Sequence, residues 1–136
     1  MPGLLLSRED LRFQLYDWLD AGALLAAPRF AAHSRETFDA VIDSCERLGE
    51  DVLAPCHALS DREEPAFDGD SVRLPEAVAA AVRALADSGL VAATQDEAVG
   101  GMQLPVLVEK AALAWLYAAN IGACAYPALT LGNASL

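Results

Sequence analysis

Apolar residues in the first half of the chain recur at the three- and four-residue spacing of an amphipathic helix. The longest stripe consists of Phe38, Val41, Ile42, Cys45, Leu48 and Val52. Charged residues fill most of the intervening positions, so the stripe predicts a helix with one buried and one solvated face. Ser34 is a suitable N-cap, which places this helix from about residue 35 to Leu53.

A shorter stripe near the N-terminus predicts another helix, over about residues 8–20. It consists of Leu11, Leu15, Trp18 and Leu19. Ser7 is its expected N-cap, with Asp10 three positions later as a capping-box variant. Gly22 and Pro28 then bracket a looser link.

Turn-forming residues interrupt the helical pattern between Pro55 and Arg73, and we expect this segment to be irregular. Within it, Phe67 and Val72 flank an Asp-Gly turn, Asp68-Gly69, which allows a short hairpin near residues 66–73.

Two more helices are predicted beyond this segment. Pro75 suits the first position of one, and Gly89 suits its end. A loop is expected over residues 90–102, after which Pro105 opens the last helix, with a break around residues 122–127. The predicted fold is therefore all-α, a small bundle of about four to six helices with room for the hairpin.

Composition narrows the possible classes of protein. The chain has 136 residues, 54% of them hydrophobic, which fits one folded domain and not a disordered segment. Its net charge of -11 argues against nucleic acid and anionic membrane surfaces as partners. Its three cysteines, Cys45, Cys56 and Cys124, show no disulfide or metal-binding spacing and are expected to be buried thiols in a cytoplasmic protein.

The end of the sequence is unusual because no charged side chain follows Lys110. This stretch is long enough to span a membrane, but it is rich in alanine and contains Asn120, Pro127 and Asn133, so burial within protein is the preferred interpretation. We expect it to pack against a further part of a larger protein.

No residue pattern by itself predicts a reaction. His57 follows Cys56 directly, and adjacent helical residues point about 100° apart, so these two cannot form a nucleophile–base pair alone. The acidic residues of 61–70 lack a calcium-loop pattern and are expected to be solvated. Gly100-Gly101 lacks a phosphate-loop pattern and is interpreted as a turn.

Four stretches, taken in order, resemble one enzyme family. They are residues 11–20, residues 38–75 with Asp61-Arg62-Glu63 and Asp68-Gly69, residues 88–105 with Gly100-Gly101 and Leu104-Pro105, and residues 118–132 with Ala118-Ala119-Asn120 and Tyr126-Pro127. Their order and spacing resemble the N-terminal part of acyl-CoA dehydrogenases, most of all the larger bacterial type with an N-terminal helical extension. On this basis residues 1–30 would be the extension and residues 31–136 the N-terminal helical domain, incomplete at its C-terminus.

The resemblance implies an FAD-dependent oxidoreductase that dehydrogenates acyl-CoA thioesters between Cα and Cβ in fatty-acid or related acid catabolism. It implies an electron-transfer flavoprotein as electron acceptor and a homo-oligomeric complete enzyme. In that family the carboxylate base and most of the flavin cradle belong to later domains, so no catalytic residue, cofactor site or metal is assigned to this chain, and no turnover is expected from it alone.

By position, Tyr126, Thr130 and Leu131 are the candidates for one wall of the acyl pocket. The alternative for these three residues is that they are core residues facing other domains. For the whole chain, the alternative function is a free-standing, non-catalytic helical module for binding or dimerisation, with the uncharged end as its contact surface.

Overall fold

Five α-helices and one short hairpin make up residues 5–134, the part of the chain that the computed structural model describes. The helices are α1 (Arg8–Arg12), α2 (Arg35–Leu48), α3 (Ala54–Arg62), α4 (Glu76–Asp87) and α5 (Val106–Ala134). Strands β1 (Ala66–Phe67) and β2 (Val72–Arg73) pair in antiparallel register. The helical fold class, the number of helices and the hairpin are thus confirmed.

Helix α2 begins with the predicted cap, and the helical run that it starts continues to Arg62, beyond the predicted end at Leu53. Ser34 and Thr37 form a reciprocal capping box, in which each side chain accepts from the other residue's backbone N–H. A π-turn, Gly49–Leu53, then leads directly into α3. The expectation of irregular structure from Pro55 onward is therefore wrong for residues 55–62, because Pro55 lies in the first turn of α3, where its missing N–H breaks no helical hydrogen bond.

The N-terminal segment docks on α2. Ser7 caps α1 by accepting from the Asp10 backbone N–H at 3.2 Å, as predicted. Arg8 forms ion pairs with Asp43, at 3.1 Å, and with Glu46. The hydroxyl of Tyr16 donates to a carboxylate oxygen of Asp39 at 2.7 Å.

The predicted apolar stripe of this segment is only half buried. Leu15 is buried and Leu11 half-buried, but Trp18 is 70% exposed and Leu19 48% exposed. The helix widens into a π-turn over Phe13–Trp18, which turns the later residues away from the expected stripe. A 3₁₀ turn, Ala21–Ala26, replaces the expected loose link.

One hydrophobic cluster joins the helices. It includes Leu15 and Ala21 from the N-terminal segment, Phe38 from α2, and Trp115 and Leu116 from α5. Helix α5 closely approaches the chain directly after α2, since a Cβ atom on Gly49 would lie 3.2 Å from the Trp115 carbonyl oxygen. Because the cluster spans both predicted segments, it gives no independent support to a division at residue 30, which stays a prediction.

The connection from α4 to α5 depends on two glycine-containing turns. Gly89 ends α4 in the left-handed conformation (φ 77°), as predicted. Gly100 also has a positive φ (86°), whereas a Cβ atom on Gly101 would lie 2.1 Å from the Gln95 carbonyl oxygen. The Gly100-Gly101 pair therefore forms a turn, as expected, and each glycine is required for a different reason.

Helix α5 is broken, but not where the sequence indicated. The non-helical residue is Asn120, with φ -163° and ψ 90°. Pro127, within the expected break at residues 122–127, lies inside the helix instead. The predicted position was wrong: the break falls at Asn120, whose side chain is hydrogen-bonded at both ends, and not at the glycine or the proline.

Residues Val106–Asn133 of α5 are long and apolar enough to pass a composition test for a membrane span. Within the most apolar 18 residues, 44% are buried inside the protein. The core helix of a soluble protein passes the same test, so this feature is weak evidence for a membrane.

The hairpin contains a strongly hydrogen-bonded carboxylate. Asp68 accepts from the backbone N–H groups of Ser71 and Asp70 and from the side chains of Ser71 and Arg73. These donors, with the Ser71 N–H contributing most, lower the pKa of Asp68 to about 2.

We therefore expect the Asp68 carboxyl resonance to titrate near pH 2 in the folded protein, against about 3.9 in urea. Because the folded pKa is depressed, the stabilisation by ionised Asp68 is present above the unfolded pKa and is lost as the pH falls through the folded pKa. In Arg73→Gln the folded midpoint should rise. A wild-type midpoint at the urea value would contradict the hydrogen-bonded turn.

Candidate functional site

A cleft of about 240 Å³ lies where the break in α5 meets the end of α3 and the start of α4. It opens beside the loop that leads into the hairpin. Its lining residues are His57, Ser60, Asp61, Glu63, Pro65, Pro75, Val78, Asn120, Ile121, Gly122 and Tyr126. Five kinds of polar side chain, namely imidazole, hydroxyl, carboxylate, amide and phenol, thus converge on one partly apolar cleft.

Asn120 is the buried polar residue of this cleft, with 1% of its surface exposed. Its side-chain oxygen accepts from the Ala123 backbone N–H at 3.0 Å, which is the bond of an N-cap. Its amide nitrogen lies 3.3 Å from the Ser60 hydroxyl and 3.4 Å from the Leu53 carbonyl oxygen and the Cys56 sulfur. Asn120 therefore starts a new helix and ties that helix to α3.

His57 makes a second connection between the same two helices. Its Nδ1 lies 3.0 Å from the Ala119 carbonyl oxygen. A carbonyl can only accept, so Nδ1 carries a hydrogen and donates. The Ser60 hydroxyl donates to the His57 carbonyl oxygen at 2.7 Å. Ser60 and His57 thus belong to one hydrogen-bonded group around the break in α5.

The mouth of the cleft is negative. Asp61 and Glu63 are exposed and form no ion pair within residues 5–134. Two unpaired carboxylates disfavour phosphate groups and favour neutral or cationic ones. Within the described range, no three His, Cys, Asp or Glu side chains come together as a possible metal site.

The cysteines are packed thiols. Cys45, Cys56 and Cys124 are 1%, 5% and 3% exposed. Burial raises the pKa of Cys45 to about 12, and burial, with a smaller contribution from Cys56, raises that of Cys124 to about 11. The Cys56 thiol donates to the Leu53 carbonyl oxygen at 3.3 Å and thus away from any base. The expected burial is confirmed, and the geometry offers no Cys–His nucleophile pair.

The structure separates the three residues predicted to line a pocket. Tyr126 lines the cleft and is 44% exposed. Thr130, one turn further along α5, is exposed on the same face but does not line the cleft. Leu131 is half-buried and packs against the hydrophobic cluster. A substrate-binding role for any of the three stays a prediction.

The last part of α5 presents an apolar face to solvent. Ile121 is 59% exposed, Tyr126 44% and Leu129 78%. This face continues from the cleft, because Ile121 and Tyr126 belong to both. Such a surface beside a cleft is typical of a site where another protein segment or a ligand packs.

Sequence reasoning missed the contribution of His57, Ser60 and Asn120 to this site. Asn120 entered the sequence analysis as a polar residue in an apolar stretch and as part of the family resemblance, but not as a site residue. Its position directly before a helical run could have indicated an N-cap, since asparagine is favoured there. His57 and Ser60 lie three positions apart, the spacing of neighbours on one helix face, but they fell in a segment expected to be irregular.

Comparison with known proteins gives one informative relative. No family model matches the chain. Over 124 residues the chain is 30% identical to a protein of Mycobacterium tuberculosis described as a broad-specificity linear acyl-CoA dehydrogenase. The match covers 83% of this chain and 20% of that protein, so the chain spans about one fifth of the relative's length. This similarity supports a relationship between the chain and the acyl-CoA dehydrogenases.

Proposed function

We propose that the chain is the N-terminal helical domain of an FAD-dependent acyl-CoA dehydrogenase, in which it forms one wall of the acyl pocket. The observation that carries the proposal is the 30% identity over 83% of the chain to the mycobacterial enzyme. The reaction proposed for the whole protein is α,β-dehydrogenation of an acyl-CoA thioester, with an electron-transfer flavoprotein as acceptor and a homo-oligomeric, cytoplasmic enzyme.

The exposed face of α5 supports a domain role. Ile121, Tyr126 and Leu129 leave apolar area in solvent that a neighbouring domain would bury. This face adjoins the cleft. A substrate held between this domain and the next one would therefore lie against Tyr126.

The cleft formed by the described residues is not suited to hold FAD. The cleft holds about 240 Å³, below the range of about 300–1,000 Å³ that accommodates drug-sized ligands, and FAD is larger than most of these. Asp61 and Glu63 would also repel its pyrophosphate. In the proposal the flavin therefore belongs to the rest of the polypeptide, and no step of its chemistry is assigned to residues of this chain.

The same charges restrict which part of the substrate this chain would contact. The phosphates of coenzyme A are disfavoured beside Asp61 and Glu63, whereas a hydrocarbon chain can pack on Ile121, Val78 and the ring of Tyr126. We assign the acyl portion of the substrate to this wall and the nucleotide portion to other domains.

The experiment that tests the proposal is reduction of the native, full-length polypeptide by substrate. Purified from its source under anaerobic conditions, it should show a flavin spectrum that bleaches when a linear acyl-CoA is added. A polypeptide that carries flavin but is not reduced by any acyl-CoA from short to long chains would overturn the proposed reaction.

Substitution of Tyr126 tests the proposed wall. In the full-length enzyme, Tyr126→Ala should raise KM for the preferred acyl-CoA about tenfold, because an aromatic contact with the acyl chain is worth about 1.4 kcal/mol. The change in kcat should be small, since Tyr126 lies on the wall and not at the reacting atoms. Initial rates over a series of acyl chain lengths measure both constants.

Trp18→Ala is the matched control, because Trp18 is an exposed aromatic residue of the N-terminal segment that does not line the cleft. Its KM should equal that of the wild type. Equal KM values for Tyr126→Ala and the wild type at every chain length would remove Tyr126 from the pocket.

The second candidate function, a free-standing binding or dimerisation module, rests on the same exposed face of α5. It predicts a native polypeptide of 14.3 kDa that forms a stable dimer. A flavin-containing native polypeptide would decide against it.

A further inference from the structure

We propose that a groove between the N-terminal segment and the first part of α5 is a docking site for a basic amphipathic helix of another protein. The groove holds about 240 Å³. Its lining residues are Leu11, Gln14, Leu15, Leu19, Leu107, Lys110, Ala111 and Ala114. It shares no residue with the cleft at Asn120. The inference therefore does not depend on the proposed dehydrogenase function.

The groove lies where the π-turn of the N-terminal segment packs beside α5. The Leu19 backbone N–H donates to the Gln14 carbonyl oxygen at 3.0 Å, so these two lining residues lie one wide turn apart. Leu15 and Ala111 are buried, at 2% and 9% exposed, whereas Leu19 is 48% exposed. A cavity of about 150 Å³ is enough to hold benzene, so the groove has room for a bulky apolar side chain.

The basic side chains near the groove are already paired. Arg8 and Arg12 of the N-terminal segment form ion pairs with carboxylates of α2. On the other side, Lys110 lies 2.8 Å from the carboxylate of Glu109, whose side chain is only 5% exposed. Because removing the counter-ion of a buried carboxylate is costly, Lys110 is not available to an anionic ligand. The groove is therefore not suited to a fatty acid or another anionic amphiphile.

Two acidic side chains beside the groove are unpaired. Asp17 and Asp20 lie on either side of Leu19 in the chain, are exposed, and form no ion pair within residues 5–134. Neither lies in the first turn of α1, where an acidic residue would interact favourably with the helix dipole. A symmetric contact between two copies of this surface would bring like charges together, which disfavours a second copy as the occupant. The same charges favour lysine or arginine beside an apolar anchor.

An amphipathic helix combines the two features that this surface requires. Such a helix places apolar side chains, at three- and four-residue spacing, into a groove of its partner. Basic residues at the flanking positions of that helix would face Asp17 and Asp20. Phe13 and Val106, each 59% exposed and next in the chain to a lining residue, add apolar area beside the groove.

Titration with synthetic peptides tests the chemistry of the occupant. The probe is a fluorescently labelled peptide of leucine and lysine, with the leucines at three- and four-residue spacing. Fluorescence anisotropy should show that it binds the 136-residue chain, with a Kd that rises as salt is added. A peptide with glutamate in place of every lysine, and one with the leucines and lysines scrambled, should each bind at least tenfold more weakly. Equal binding of all three peptides would overturn the inference.

Substitution of Leu19 locates the apolar contact. Leu19→Ala should raise the Kd of the leucine–lysine peptide about fivefold, because less apolar area is buried in the complex. Leu129→Ala is the matched control, since Leu129 is a 78% exposed leucine that does not line the groove. Its Kd should equal that of the wild type. A folded Leu19→Ala protein with the Kd of its control would overturn the inference.

A double substitution locates the charged contact. Asp17→Asn with Asp20→Asn should raise the Kd about fivefold at low salt. Asparagine also tolerates the left-handed backbone of Asp20, which has a φ of 47°. Glu64→Gln with Asp70→Asn removes the same net charge from exposed positions near the hairpin and should leave the Kd unchanged. Equal effects of the two double variants would show attraction to net charge alone and would overturn the inference.

Three further outcomes are decisive. If circular dichroism shows that Leu19→Ala does not fold, the two charge variants, all at exposed positions, decide between the outcomes. A dimer of the wild-type chain that Leu19→Ala dissociates would assign the groove to a second copy and overturn the inference. A native polypeptide that does not bind the peptide, although the 136-residue chain does, would show that its own remaining sequence covers the groove, and would also overturn it. No substrate is used, so these outcomes are independent of whether the native protein oxidises acyl-CoA.

Discussion

Replacing Trp115 by alanine is expected to lower the free energy of unfolding by about 4 kcal/mol, the largest effect of any single substitution considered for this chain. Trp115 is fully buried in the hydrophobic cluster, and its backbone carbonyl lies beside Gly49 of the π-turn after α2. Within the described residues its indole N–H has no hydrogen-bond partner, so the loss is one of packing and not of hydrogen bonding. Urea unfolding followed by circular dichroism measures the change.

Trp18→Ala is the control for this substitution, because Trp18 is 70% exposed. Its unfolding free energy should remain within about 0.5 kcal/mol of the wild type. The total stability of a domain of this size is about 5–15 kcal/mol, so the loss in Trp115→Ala is a large fraction of it. A Trp115→Ala protein as stable as Trp18→Ala would show that α5 is not the centre of the core.

The second large effect is expected at Gly101. Gly101→Ala should destabilise the protein by about 3 kcal/mol, because its Cβ atom would lie 2.1 Å from the Gln95 carbonyl oxygen. Backbone atoms must move to relieve this contact. The turn also carries the hydrogen bonds from Gln103 N–H to the Gln95 carbonyl oxygen and from Leu104 N–H to the Ala93 carbonyl oxygen, both at 2.9 Å. Thermal unfolding by calorimetry measures the loss.

Two other glycines provide graded controls for Gly101. Gly100→Ala meets no atom within 4 Å but retains a positive φ, so it should lower stability by only about 1–2 kcal/mol. Gly132→Ala meets no atom and lies in a helix, so it should raise stability by about 0.5–1 kcal/mol. If Gly101→Ala destabilised the protein no more than Gly100→Ala does, the close approach of Gly101 to Gln95 would be refuted.

Local sequence patterns predicted the elements whose structure depends on local contacts. The stripe from Phe38 to Leu48 correctly predicted α2, because three- and four-residue spacing places apolar side chains on one helix face. The Asp68-Gly69 turn gave the hairpin because Asp68 bonds to backbone within its own turn and Gly69 accepts a positive φ.

Two errors occurred where a helix widens into a π-turn, a change of local geometry that the spacing of apolar residues does not reveal. Pro55 was taken as the end of a helix, but the π-turn before it lets α3 follow directly. Trp18 and Leu19 were expected in the core, but the π-turn at Phe13–Trp18 rotates them outward.

One of the three residues predicted to line the acyl pocket does line the cleft. The spacing of residues in the sequence could not show the rest of the site. Tyr126 lines the cleft together with Asn120, whose side chain contacts Ser60 of α3, 60 residues earlier in the chain. No periodicity reveals a hydrogen bond between positions that far apart. Leu131 was expected beside Tyr126 and faces the hydrophobic cluster instead.

The most direct test of the proposed identity is the mass and absorbance spectrum of the polypeptide purified from its native source. We expect a chain several times heavier than 14.3 kDa, in keeping with the fivefold longer relative, with bound flavin. A native polypeptide of 14.3 kDa without flavin would contradict the proposed dehydrogenase domain and leave a helical binding module as the function.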